Sequence, residues 1–234
     1  MESNDNVNKL YIDGQWANAD SGATFDVFNP ANGEKIGEAA DGSGSDAARA
    51  IEASRKAFGQ WAGLTAHQRS EYLYEAYQIM TANREHLARL MTAEQGKPLK
   101  ASRGEVQYGA DFLLWYAEEA KRVYGKTIPA PRSDQRFMVL RQPVGVVAAI
   151  TPWNYPVSMV TRKVAPALAA GCTIVLKPAE ATPLCAVEVF KILHEAGIPA
   201  GVANLVTALN PAPVEKPLSK TPWFASLPSP DLPK

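Results

Sequence analysis

Two cysteines, Cys172 and Cys185, and three histidines are the only thiols and imidazoles in 234 residues. So few cysteines exclude the disulfide-stapled framework of small secreted domains. His67, His86 and His194 lie far apart within amphipathic patterns, whereas zinc sites draw several ligands from close spacing, so no metal is expected. Charge of one sign is equally absent: 24 Lys and Arg balance 24 Asp and Glu. That removes the bulk electrostatics on which nucleic-acid and membrane-surface binders depend, and neither partner is expected. No uncharged run is long enough to span a bilayer, because Arg162 and Lys163 interrupt the best candidate. The opening MESNDNVNK is polar and has no apolar signal core, so residues 1–9 are expected to be disordered and the compartment cytoplasmic. The G-x-G-x-x-G phosphate fingerprint is missing as well.

What is present centres on residues 143–180, PVGVVAAITPWNYPVSMVTRKVAPALAAGCTIVLKPAE. Val144 to Ile150 is apolar and β-branched, as in a strand buried on both faces. Two prolines and an Asn in Thr151–Pro156 end it. Val157 to Ala170 has helical composition, with Gly171 at the position of a C-terminal cap. Thr173 to Leu176 is a second buried strand, stopped at Lys177-Pro178. Two such strands joined by a helix pair in parallel through a right-handed crossover. Ligands of these sheets bind beyond the carboxyl ends of the strands, here Thr151–Asn154 and Lys177–Glu180.

The flanking segments extend the same α/β class. Residues 10–38 read as short antiparallel edge strands separated by Asp-Gly, Ser-Gly and Asn-Gly turns. Helices are expected from caps at Ser45, Thr65 and Asn83, the last running to the break at Gly96-Lys97-Pro98. A fourth covers Ala101 to Tyr124, with Phe112, Trp115 and Tyr116 on a broad apolar face that packs onto the sheet. A polar loop and a strand at Phe137–Leu140 follow, then a helix at Leu184–Ala196 and a strand at Gly201–Thr207. Asn210 to Lys234 is Pro-rich and aperiodic, and is expected to form neither helix nor strand and to expose Trp223 and Phe224.

Among candidate site residues, Asn154 can donate uncharged hydrogen bonds to an oxygen that becomes anionic, or can simply stabilise its own turn. Lys177 and Glu180 suit a ribose diol, or are a charged strand end. Arg162 suits a planar carboxylate, or is a charge on a helix surface. Cys172 and Cys185 read as small structural residues.

TPWNYP, the TRK at Thr161–Lys163, PALAAGC, LKPAE followed by TP, EQGKP at Glu94–Pro98 and YAEEAKRVYG at Tyr116–Gly125 resemble the aldehyde dehydrogenase superfamily, within it the succinate-semialdehyde group. The likeness runs from about Leu10 to about Val214. It implies an incomplete aldehyde-dehydrogenase-type fold, a parallel Rossmann-like sheet with flanking helices: an incomplete NAD-binding domain over 10–124 and 144–208, a projecting hairpin over 125–143 that pairs subunits of a homo-oligomer, and no catalytic domain. An ordinary surface hairpin is the alternative. It implies NAD-dependent oxidation of a small aldehyde to the acid, with NADP as the other possible cofactor. By the same resemblance Asn154 is the oxyanion donor, Arg162 holds the distal carboxylate of the substrate, and Ile150, Thr151, Pro152, Trp153, Lys177 and Glu180 hold the cofactor. Glu180 tilts the choice to NAD, since a carboxylate accepts from both ribose hydroxyls and repels a 2′-phosphate.

One departure stands out. The thiol nucleophile and the water-activating glutamate of the family lie downstream of the resembling stretch, and neither cysteine here aligns with that thiol. The chain as written is therefore expected to be inactive, or to be a non-catalytic nucleotide-binding or regulatory fragment or a pseudogene product. Codons can be chosen for Val214 onward so that one added base restores a family-like continuation, which marks the chain after Val214 as frameshifted, within an irregular tail over 209–234 that is aberrant from about 215. Without the strands that follow in the family, the sheet is expected to keep an open edge and the chain to be poorly soluble.

Overall fold

The structure, a computed structural model, describes residues 8–221 and 223–226. The polar start at 1–7, the end of the tail at 227–234 and the side chains of Trp223 and Phe224 lie outside the described residues.

The chain opens with β1 (Leu10–Ile12) and β2 (Gln15–Ala17), then β3 (Thr24–Phe28) and β4 (Lys35–Ala40). Four helices follow: α1 (Gly44–Gly63), α2 (Ala66–Ala82), α3 (Arg84–Gln95) and α4 (Leu99–Ala120). The hairpin strands β5 (Lys126–Ile128) and β6 (Phe137–Val139) pair antiparallel. Then come β7 (Val146–Ile150), α5 (Ser158–Ala169), β8 (Thr173–Lys177), α6 (Pro183–Glu195) and β9 (Ala203–Leu205). The chain continues into α7 (Pro211–Leu218) and β10 (Trp223–Ser226).

One six-stranded sheet runs in the order β10-β7-β8-β9-β1-β2. Its first four strands are parallel, and β1 and β2 close the far side antiparallel. Strand β8 shows why the fold is layered. Ile174 and Leu176 enter the larger apolar cluster with α2, α4, α5 and α6, while Val175 enters a second cluster with α1 and α7. Alternating side chains thus bury both faces, and helices must cover both.

Several expectations shift in detail. The first cap is Ser43 rather than Ser45; Asp46 accepts its backbone N–H at 2.9 Å. Thr65 caps α2 as expected, in a reciprocal pair with Gln68. Asn83 precedes α3 but turns its side chain back onto the Ile79 carbonyl at 3.0 Å, closing α2 instead. Trp115 does not pack on the sheet; it is 63% exposed.

The tail overturns its reading. Asn210 caps α7 through the Ala212 N–H at 3.2 Å. Pro211 and Pro213 fall in the first turn, where no backbone N–H has an intrahelical partner, so they remove nothing the helix needs. Val214 and Leu218, four residues apart on one helix face, are both fully buried in the cluster that holds Ala148 and Val175. Gly44 admits this approach, since a Cβ there would stand 3.0 Å from the Pro213 carbonyl oxygen. Beyond it β10 pairs in parallel with β7, Trp223 opposite Val147 through Ser226 opposite Ile150. The β7 edge expected to be open is therefore occupied, and core contacts continue past residue 215.

Candidate active site

Strand β7 ends at Ile150, and the Thr151 N–H continues the ladder to the Lys177 carbonyl at 3.1 Å. Thr151 is buried, Pro152 half-buried, and Trp153, Asn154 and Tyr155 emerge into solvent before Pro156 and Val157 re-enter the core. The carboxyl ends of β7 and β8 thus lie side by side, as parallel pairing requires.

The turn bearing Asn154 is held by its main chain. The Asn154 carbonyl accepts from Lys97 Nζ at 2.9 Å and from Gln95 Nε2 at 3.2 Å. Lys97 also donates to Glu105 and sits 4.1 Å from the centre of the Tyr155 ring. Glu105, itself buried, turns its other oxygen to the backbone N–H groups of Val157 (3.1 Å) and Ser158 (3.3 Å) at the head of α5. A carboxylate there complements the positive helix end and satisfies donors that the helix leaves unpaired. Among the described residues the Asn154 side-chain amide makes no hydrogen bond. It does not brace its own turn, and it is free to donate outward.

Lys177 ends β8 with only 2% of its side chain exposed. Its Nζ lies 3.3 Å from Glu180 Oε2 and 3.6 Å from Glu215 Oε1 on α7. Glu180 and Trp153 also meet, across a cleft of about 330 Å³ whose floor includes Glu94. Glu94 accepts the backbone N–H groups of Leu184 (2.5 Å) and Cys185 (3.0 Å) at the start of α6. Burial pushes its carboxyl up to about 7, against the pull of those bonds.

Arg162, in the second turn of α5, is exposed, and its guanidinium carbon stands 6.0 Å from the Phe112 ring centre. Phe112 in turn packs on Tyr108, ring centres 4.8 Å apart. Neither thiol is positioned for attack. Cys172 is 3% exposed and Cys185 fully buried, and burial drives the Cys185 thiol well above its usual range.

Sequence reasoning located Thr151–Asn154, Lys177 and Glu180 together but missed Gln95, Lys97, Glu105 and Glu215 as their partners. The first three sit more than fifty residues from the turn they hold. Glu215 was discounted with its tail.

The profile of the Aldehyde dehydrogenase family matches residues 16–226. The chain belongs to the aldehyde dehydrogenase family. It is 54% identical over 199 residues to a glutarate-semialdehyde dehydrogenase of Pseudomonas putida, an alignment that takes in 85% of this chain and 42% of that relative. It is 50% identical over 196 residues to the succinate-semialdehyde dehydrogenase [NADP(+)] of Escherichia coli, covering 84% of this chain and 41% of the relative. Among solved structures it resembles a succinate-semialdehyde dehydrogenase from Burkholderia pseudomallei, with a TM-score of 0.93 and 43% identity over 97% of this chain and 48% of the other. The chain thus spans less than half the length of the relatives it matches. Among the described residues no helix is long and apolar enough to cross a membrane.

Proposed function

We propose that this chain is the nucleotide-binding portion of an NAD-dependent oxidoreductase for aldehydes that carry a distal carboxylate, of the succinate-semialdehyde type. The observation that carries the reading is the Asn154 turn, clamped through its carbonyl with its amide left without a hydrogen bond among the described residues, following β7 on the same carboxyl edge of the sheet as Lys177 and Glu180. Bound NAD would supply the hydride acceptor. The donor set fits its ribose: Lys177 can donate to one hydroxyl and Glu180 can accept from the diol, with Ile150 to Trp153 forming the adjoining wall. The Asn154 amide donates to the aldehyde oxygen and lowers the cost of charge developing there. Arg162 offers two parallel donors to the distal carboxylate, a group that the names of both curated relatives imply for their substrates. The hairpin leaves Met138 and Leu140 about 70% exposed, an apolar surface suited to pairing with another subunit.

No thiol in this chain is placed to attack the aldehyde, so on its own it binds nucleotide without turnover. Calorimetric titration with NAD, paired with an assay for NADH from succinate semialdehyde, tests this. Binding that is lost in Lys177→Met, with no NADH formed, is the expected result. NADH production by the pure chain, abolished by Asn154→Ala, would overturn the second half of the proposal. Sequencing the DNA across the codons from Val214 to Trp223 tests the frameshift.

A further inference from the structure

We infer that Glu215 is a specificity residue that makes the nucleotide site reject a 2′-phosphate, so that the chain selects NAD over NADP. The inference rests on the proposal that Lys177 and Glu180 hold the ribose. Its own basis is the second carboxylate found at that pair. Lys177 Nζ is flanked by Glu180 at 3.3 Å and by Glu215 at 3.6 Å, and the lysine is almost wholly buried.

The position of Glu215 is built in. Val214, immediately before it, is fully buried against the α1 side of the sheet, and Leu218 one turn on is buried in the same cluster. These two anchors fix the rotation of α7 and turn Glu215 toward the end of β8, while Lys216 points into solvent. The glutamate side chain lies against the lysine and keeps 23% exposure, so its charge is not sealed in the core.

The charge count decides the consequence. One ammonium and two carboxylates leave the trio with a net negative charge. A ribose diol is neutral and tolerates this, because it needs an acceptor as well as a donor. A 2′-phosphate brings close to two further negative charges and meets two carboxylates competing for the one ammonium. Glu180 alone would leave the pair neutral. Glu215 adds the repulsive element from which specificity against a near-identical ligand is made.

The test is calorimetric titration of the 234-residue chain with NAD and with NADP, for the native protein, Glu215→Gln, Glu215→Ala and Lys177→Met, with thermal unfolding run on each to verify folding. Removing one charge a few ångströms from the phosphate should tighten NADP binding by about tenfold or more, with NAD changed by less than about twofold, in both Glu215 variants. An unchanged NADP-to-NAD ratio, while Lys177→Met still abolishes NAD binding, would overturn the role of Glu215 and leave the ribose site standing. Equal tightening of both nucleotides would overturn it too, since Glu215 would then only obstruct the site. If the native chain binds neither nucleotide, or Lys177→Met binds NAD undiminished, the ribose reading itself fails and this inference falls with it.

Discussion

Glu94 and Glu105 use one device at two places: a buried carboxylate set against the first backbone N–H groups of a helix that leaves a parallel strand. Each replaces water at donors the helix cannot satisfy, and each ties an N-terminal helix to the sheet edge where the candidate site lies. Burial raises the Glu94 carboxyl from 4.5 to about 7. The folded state therefore holds the proton more tightly than the unfolded chain between those values. Stability contributed by the neutral acid is full below about 4.5 and is lost as pH rises to about 7, beyond which it is flat. Glu94→Gln keeps the shape and cannot titrate. The difference in unfolding free energy between native protein and variant, measured by urea at several pH values, should fall across that window by on the order of 3 kcal/mol. A difference independent of pH would show that the Glu94 carboxyl titrates alike in both states. Neither cap was legible beforehand, because EQGKP places Glu94 some ninety residues from the helix it serves.

At the scale of elements, Gly109 of α4 packs directly against the start of α5. A Cβ there would stand 3.0 Å from Val157 Cγ1 and 3.5 Å from Ser158 Cα, just beyond the Asn154 turn. Valine at this position must push the helices apart, an overpacking cost of about 1–3 kcal/mol. Glycine is ordinarily the poorer residue inside a helix, by about 0.5–1 kcal/mol against alanine, so a lower urea midpoint for Gly109→Val would show packing overriding propensity. A midpoint equal to the native one would mean that the two helices are not so tightly opposed. The parallel strands and their crossover helices were legible because continuous apolar runs and helical periodicity are local properties. Strand β8 and helix α6 fall within a residue or so of where the sequence puts them. Helix α7 was not legible. Pro211 and Pro213 look like breakers until the first turn is recognised as the place where proline costs least, and Pro217 sits inside the helix one residue before its last, Leu218.

For the molecule as a whole, the consequence lies at the outer edge of the sheet. Strand β7 carries the turn of the candidate site, and its outer edge is paired with β10, while α7 covers one face of β7 and β8. Pairing of this kind depends on backbone groups and not on side-chain identity, so even an atypical sequence can occupy an unpaired edge. The segment after Leu209 is thus part of the fold. Ending the chain at Leu209 would uncover the sites of Val214 and Leu218, each worth roughly 1.5–3 kcal/mol of burial, and leave the β7 edge exposed. Set against a total stability of about 5–15 kcal/mol for a domain, that loss is large. The shortened chain should melt well below the native one, bind an apolar-surface dye and aggregate on concentration. Leu218→Asp in the intact chain should act in the same direction, since a carboxylate in that cluster has no partner to offset its burial. If instead the shortened chain and Leu218→Asp both melt with the native protein, α7 and β10 are not seated on the sheet. Glu215 would then be too far from Lys177 to bear on which nucleotide binds.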